Sequence, residues 1–282
     1  TIVGDALTRW HRLLGDDVLY LTGTDEHGLK IRQAADAAGL SPKEFCDSIA
    51  PKFADAWGRL DIANDDFIRT TEPRHHAAVT ELLQRCYDAG DIELDTYSGK
   101  YCVACEEYYT DEELLDGDVC PIHKRPVDHF EEENYFFRLS RFQDRLLDWY
   151  AAHPGSIVPE FRGNEALGLI RGGLRDFSVS RTSLDWGIRL PWDDRHVAYV
   201  WFDALTNYLS ATGFGDDSVD YTERWPVDYH LIGKDIIRHH CVYWPAMLMS
   251  AGVDLPKGWA VGGWLLVDGE KMAKSTGNVV NP

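Results

Sequence analysis

Short apolar runs that end in a polar, glycine-containing turn and pass straight into a helical pattern recur along this chain. That alternation constrains the fold more than any other feature. Val18-Leu19-Tyr20-Leu21 reads as a strand, runs into the turn Thr22 to Gly28, and is followed by a helical pattern from Lys30 to Ala38. Ser41-Pro42-Lys43-Glu44 is a capping box with proline at the first helical position, and the helix it opens is carried by Phe45, Ile49, Phe53 and Trp57. Phe67-Ile68-Arg69 reads as another strand, and Pro73 to Ala89 as the helix after it, closed by Gly90. Strands alternating with helices predict an α/β fold on a parallel sheet.

The pattern breaks once. Between residues 92 and 133 Gly, Cys, Tyr and acidic residues dominate and the helical period disappears, which predicts an inserted module dividing a first part (1–91) from a remainder (134–282). Helical patterning resumes over Leu139 to Ala152 and Glu165 to Leu174, followed by a β-like stretch at Val179-Ser180-Arg181 and a turn at Asp185-Trp186-Gly187. The period then predicts a helix over His196 to Ala211 and a strand over Tyr229 to Ile232. After Gly233-Lys234, Asp235 is expected to cap a helix running towards Ser250, with Pro245 kinking it or beginning its second segment. Asp268-Gly269 signals a tight turn.

Composition narrows the function classes. With 282 residues, 44% hydrophobic and 27% charged, the chain can bury a large core, and a prior of about 150 residues per domain gives roughly two domains. Asp plus Glu number 47 against 28 Lys plus Arg, a formal net charge of −19, which repels polyphosphate at long range and restricts nucleic-acid contact to local patches. No apolar run reaches the roughly 18 residues of a membrane span. Six cysteines are too few for a disulfide scaffold, so a reducing, cytoplasmic setting is expected. The chain lacks an initiator Met, opens inside a helical pattern and stops at Asn281-Pro282, which predicts a fragment.

Several clusters can carry chemistry. Cys102-x2-Cys105 with Cys120-x2-His123 has the paired spacing of a closed tetrahedral zinc site of three thiolates and one imidazole, whose role would be structural; reduced thiols without a metal are the alternative. Lys271-Met272-Ala273-Lys274-Ser275 places two ammonium groups three residues apart beside a hydroxyl, suited to a polyphosphate, although a solvated turn would read the same way. Ile232-Gly233-Lys234-Asp235 is a strand-to-helix turn where glycine lets a ligand approach the backbone and the carboxylate can accept ribose hydroxyls; it could equally be an ordinary capped turn. Thr24-Asp25-Glu26-His27 ends another strand with an anion and an imidazole suited to an ammonium, or forms a plain acidic turn. Trp201, Ala204, Leu205 and Tyr208 share one helical face that could receive a flexible apolar side chain or simply pack in the core. Arg238-His239-His240 is open to core, surface or ligand readings. Cys46, Cys86 and Cys241 sit in helical patterns and read as buried small hydrophobes.

Taken in order, these residues resemble the methionyl-tRNA synthetases. The resemblance rests on Leu21-Thr22-Gly23-Thr24-Asp25-Glu26-His27-Gly28, the cysteine–histidine knuckle, Glu132 to Ser140, Ser178 to Ser183, Tyr199 to Ala204, Ile232 to Ile236 and Lys271 to Ser275. It implies a class I Rossmann-type parallel sheet interrupted by a zinc-binding connective-peptide insertion. It further implies that methionine and ATP, with Mg2+, form methionyl-adenylate and pyrophosphate, and that the methionyl group then passes to tRNA(Met). By resemblance Asp25 holds the methionine ammonium with His27 close by. Trp201, Ala204, Tyr208 and His240 wall the side-chain pocket, Gly233 and Asp235 meet the ribose, and Lys271, Lys274 and Ser275 stabilise charge on the phosphates. Three positions depart from the family pattern: Ala273 in place of Ser, His239 in place of an aromatic residue, and Gly262 where some members have His. The family's His-x-Gly-His signature and its helical anticodon-binding domain are not in the chain, so weak tRNA binding and inefficient adenylate formation by this piece alone are expected. The alternative is a zinc-stabilised RNA- or protein-binding fragment without catalysis.

Overall fold

The computed structural model describes residues 1–102, 107–109 and 111–272. One unit takes in residues 1–138, 176–225 and 250–252; a second takes in residues 139–175, 226–249 and the described residues from 253 onward.

In the first unit, helix α1 (Ile2–Leu14) ends at Gly15, whose φ of 93 turns its N–H back to Arg12 and His11 carbonyls. Strand β1 (Leu21–Thr24) begins at the last residue of the apolar run that predicts it. The Tyr20 N–H is taken by the Asp65 carboxylate at 2.7 Å, so the ladder starts one residue later. Helices α2 (Leu29–Ala38) and α3 (Pro42–Arg59) follow. The capping box at α3 is formed: the Glu44 N–H donates to Ser41 Oγ at 3.3 Å, and the Ser41 N–H donates to the Glu44 carboxylate at 3.0 Å. β2 (Asp66–Arg69) pairs in parallel with β1, Leu21 opposite Asp66 and Thr24 opposite Arg69. Gly23 is required there, since a Cβ would lie 2.2 Å from the Ile68 carbonyl oxygen. Helix α4 (Pro73–Asp88) buries Ala78, Val79, Leu82, Leu83 and Cys86.

The glycine- and cysteine-rich stretch is antiparallel sheet. β3 (Ile92–Cys102), β4 (Glu107–Tyr109) and β5 (Asp128–Phe137) form its hairpins, with β3 and β5 in continuous register from Ile92 opposite Phe137 to Tyr101 opposite Asp128. β5 runs through residue 133.

The second unit enters with a 3-10 turn over Leu139–Phe142, so the helix expected from Leu139 becomes α-helical only at α5 (Gln143–Ala152). After β6 (Ile157–Val158), helix α6 (Glu160–Arg171) starts five residues earlier than its apolar period predicts.

The chain then returns to the first unit. β7 (Phe177–Ser178) completes the sheet of order β4-β3-β5-β7, and β8 (Ser180–Arg181), β9 (Arg189–Leu190) and β10 (Asp193–Ala198) form a three-stranded antiparallel sheet centred on β10. Here the helix expected from His196 is corrected. Val197 and Ala198 pair with Arg181 and Ser180, His196 Nδ1 lies 3.0 Å from Ser180 Oγ, and helix α7 (Val200–Ser210) begins only at Val200. Cross-strand pairing and a buried polar contact outweigh a helical period of apolar residues.

In the second unit β11 (His230–Gly233) is flanked by a 3-10 turn over Lys234–Ile236. Asp235 does not cap a helix; the residue before the turn is Gly233 and no side-chain cap bond forms. A π-helical turn over His239–Tyr243 precedes α8 (Trp244–Ala251). Pro245, lacking an N–H, cannot bond the Cys241 carbonyl one turn back, and that carbonyl instead accepts the Tyr150 hydroxyl at 2.7 Å. Pro245 therefore opens the second helical segment. β12 (Trp259–Gly262) completes a parallel sheet of order β11-β12-β6. β13 (Leu266–Val267) and β14 (Glu270–Lys271) form a hairpin whose two loop residues, Asp268 and Gly269, take φ of 53 and 83. Parallel pairing, expected of the whole α/β framework, is seen in the two-stranded sheet of the first unit and the three-stranded sheet of the second; the other sheets are antiparallel.

Candidate active site

The turn after β1 treats two adjacent carboxylates oppositely. Glu26 is buried, and its oxygens accept from Thr24 Oγ1 at 2.7 Å, Thr71 Oγ1 at 2.6 Å, and Arg69 Nε and Nη2 at 2.6 and 2.9 Å. Burial pushes its pKa up, but these donors outweigh it and hold it below the usual value. Glu26 is thereby a structural anchor, and Asp25 remains exposed at the surface of the turn, its carboxylate 3.5 Å from the His27 N–H.

His27 points inward. Its Nδ1 lies 2.6 Å from Asp203 Oδ2, and its ring meets the edge of Trp186 at 5.2 Å; the Trp186 Nε1–H in turn donates to the Glu26 carbonyl at 2.7 Å. Asp203 Oδ1 lies 2.6 Å from His75 Nε2, and His75 Nδ1 lies 2.8 Å from Ser210 Oγ. Burial opposes charge on both members of the His27–Asp203 pair. Their mutual attraction prevails, raising the His27 pKa and lowering that of Asp203 to about 2.

The face of α7 read as a possible pocket wall divides in two. Leu205 is 1% exposed and belongs to the core. Trp201, Ala204 and Tyr208 are half-buried, as a wall open to a ligand would be.

In the second unit His240 is buried, its Nδ1 3.0 Å from the Ile236 carbonyl. A carbonyl only accepts, so Nδ1 carries the proton and Nε2 keeps its lone pair. Burial lowers the His240 pKa to about 4 and that of His239 well below its ordinary value, so both rings are neutral at pH 7. His239 meets Tyr243 edge-on at 5.2 Å. A Cβ at Gly233 would lie 2.7 Å from Asp235 Oδ1, so any larger residue there would displace that carboxylate from its present position, and Lys234 Nζ sits 3.5 Å above the Trp264 ring. Lys271 lies opposite Leu266 in the β13–β14 hairpin. Ala273, Lys274 and Ser275 lie outside the described residues.

Cys102, Cys120 and His123 are brought together, their donor atoms all within 4.8 Å of one another. His123 Nδ1 stands 4.0 Å from Cys102 Sγ and 3.9 Å from Cys120 Sγ, close to the roughly 3.6 Å that Zn–S and Zn–N bonds of tetrahedral geometry impose. Both thiols are buried among Tyr109, Leu114 and Val127, so the donor set fits a closed metal site. Cys105 lies outside the described residues.

His75, Asp203, Arg69 and Trp186 were not among the expected site residues. Asp203 did carry a signal: an acidic residue three positions after Val200 and seven before Ser210 sits on the buried side of α7, where a charge needs a partner. The partner residues, on β2, on α4 and before β9, are distant in sequence and have no local mark.

A family model described as tRNA synthetases class I (M) matches residues 1–282. The chain is 50% identical over its whole length to the methionine–tRNA ligase of Streptomyces coelicolor, covering 54% of that protein, and 49% identical to that of Thermotoga maritima, covering 45%. It also resembles the crystal structure of Mycobacterium tuberculosis methionyl-tRNA synthetase bound by methionyl-adenylate, with a TM-score of 0.94 and 48% identity over 99% of this chain and 56% of that one. The chain thus spans about half the length of the curated relatives it matches, and its fold is that of a class I aminoacyl-tRNA synthetase catalytic region.

Proposed function

This chain belongs to the class I (M) family of tRNA synthetases, and on that premise we propose that it is the catalytic core of a methionine–tRNA ligase. The methionine carboxylate attacks the α-phosphorus of ATP, taken with Mg2+, to give methionyl-adenylate and pyrophosphate; the methionyl group then passes to tRNA(Met). The observation that carries this reading is that one unit holds both an exposed Asp25 carboxylate and the half-buried Trp201, Ala204 and Tyr208 face, with the turn of the one joined to the helix of the other by the 2.6 Å His27–Asp203 contact. One offers a partner for an ammonium, the other an aromatic wall for a thioether.

The assignment follows residue by residue. Asp25, with His27 behind it, holds the ammonium. Trp201, Ala204, Tyr208 and His240 wall the side chain; a neutral imidazole suits an apolar pocket better than a charged one. Gly233 lets the nucleotide approach the backbone, and Asp235 accepts from its ribose. Lys271 and Lys274, with Ser275, place positive charge on the departing pyrophosphate. No protein nucleophile is required, because in-line positioning and electrostatic stabilisation are sufficient kinds of catalysis here.

Residues 1–91 and 134–282 are assigned to a Rossmann-type catalytic domain and 92–133 to a zinc-knuckle insertion. Cys102, Cys105, Cys120 and His123 would hold the zinc. When bound it supplies cross-linking of the β3–β5 hairpin region rather than chemistry, since four protein ligands leave no open position.

Methionine-dependent exchange of pyrophosphate into ATP by the full-length protein is the test. Exchange is expected with methionine and, at least about tenfold more weakly, with leucine. No exchange with methionine would refute the assignment.

A further inference from the structure

Among the buried clusters to which no role has been assigned is the Asp203 carboxylate with the imidazole of His75 joined to it. We propose that Asp203 and His75 are positioning residues for methionine, holding the turn that carries Asp25 in register with the α7 face that carries Trp201, Ala204 and Tyr208. The inference rests on the function proposed above and adds to it how that subsite is kept in shape.

Asp203 lies on the same helix as the wall, two residues from Trp201 and one from Ala204, so its side chain leaves from a different face. It is 0% exposed whereas the wall residues are half-buried. Its Oδ2 holds His27 Nδ1 at 2.6 Å, and the His27 backbone N–H lies 3.5 Å from the Asp25 carboxylate. One carboxylate thus ties the ammonium-binding turn to the wall-bearing helix. Its other oxygen is occupied by His75 Nε2 at 2.6 Å, so the group cannot rotate without breaking a second charge-assisted contact. His75 is braced in turn by Ser210 Oγ at 2.8 Å, two turns further along α7, and Ser210 donates to the Thr206 carbonyl at 2.9 Å.

Helix α4 therefore grips α7 at two points, on either side of one imidazole. His75 is itself 0% exposed, so it acts on methionine only through Asp203 and His27. A displacement of about 1 Å in such a supporting shell is enough to cost on the order of a hundredfold in a positioned reaction.

The test is pyrophosphate exchange by the full-length protein with methionine and ATP varied separately. His75→Phe keeps a ring but loses the donor to Asp203; the KM for methionine is expected to rise about tenfold with the KM for ATP changed less than about twofold. His75→Gln places an amide nitrogen near the position of Nε2, and is expected to return the methionine KM to within about threefold of the wild type. Should His75→Phe show no cooperative melt, Ser210→Ala carries the test, because it removes only the hydroxyl that braces His75; there the methionine KM is expected to rise about threefold and the ATP KM to stay level.

An unchanged methionine KM in His75→Phe or, if that variant does not fold, in Ser210→Ala overturns the inference. So does an equal rise in both KM values, or a Gln variant no better than the Phe variant. A wild-type protein without methionine-dependent exchange overturns the function and this inference together, whereas an active wild type with unmoved variants overturns the inference alone.

Discussion

Asp25 and Glu26 differ by one methylene and one position, yet only Glu26 is buried against a guanidinium. Replacing Glu26 by Gln leaves Arg69 with Asp47, 2.7 Å from its Nη2, as its remaining carboxylate partner, and is expected to cost about 1 to 2 kcal/mol in urea unfolding. The same pairs give stability an acid and an alkaline limb. Glu26 and Asp203 have depressed pKa values, so what they contribute is fully present above the ordinary carboxylate value near 4 and is lost as pH falls through their folded values, about 2 for Asp203. His27 has a raised pKa, so its contribution is present below its ordinary value of 6.5 and is lost as pH rises through the folded value above it. Buried neutral His239 and His240 act in the opposite sense to His27: their folded pKa values are depressed, so stability is also lost as pH falls below 6.5, where the unfolded imidazoles take protons. Unfolding free energy measured against pH is therefore expected to peak near 6.5, falling on the alkaline side through His27 and on the acid side first through the buried neutral histidines and then, below about 4.5, through the carboxylates. In Asp203→Asn both limbs should shrink, and an unaltered alkaline limb would contradict the pairing.

At the scale of elements, hydrogen-bond accounting explains both where the sequence reads correctly and where it misleads. The Ser41-Pro42-Lys43-Glu44 box predicts the start of α3 because its partners lie three residues apart and form the cap without outside help; Ser41→Ala should cost about 1 kcal/mol of stability in urea unfolding. The Asp268-Gly269 turn is equally local. His196 to Ala198 mislead because the residues that hold them as a strand are Ser180 and Arg181 on β8. Pro245 announces a break but not its remedy, which is the Tyr150 hydroxyl. Tyr150→Phe strands the Cys241 carbonyl in a dry interior and is expected to destabilise by about 1 to 3 kcal/mol, seen as a lower urea midpoint at unchanged slope. A midpoint within error of the wild type would mean that the carbonyl finds another donor.

For the whole molecule, the proposed zinc site supplies the prediction. Full-length protein should carry about one zinc ion per chain by elemental analysis, and Cys120→Ser should lose it together with hydrogen-exchange protection in the β3–β5 strands, with slower change elsewhere. Metal-free wild-type protein with equal protection would exclude a structural metal. The knuckle spacing, the strand–turn–helix order and the run of motifs were legible in the chain because each depends on residues close in sequence. The sequence alone determined the alternation of strand and helix, the α3 cap, the hairpin turn and the grouping of Cys102, Cys120 and His123. Only the tertiary structure decided which of two neighbouring carboxylates is sacrificed to an internal salt bridge, which of four residues on one helical face goes to the core, and that a buried aspartate joins two histidines 48 positions apart in the chain. The physical reason is that burial and pairing in low-dielectric surroundings are set by what arrives from distant segments, a quantity that no local period or spacing carries.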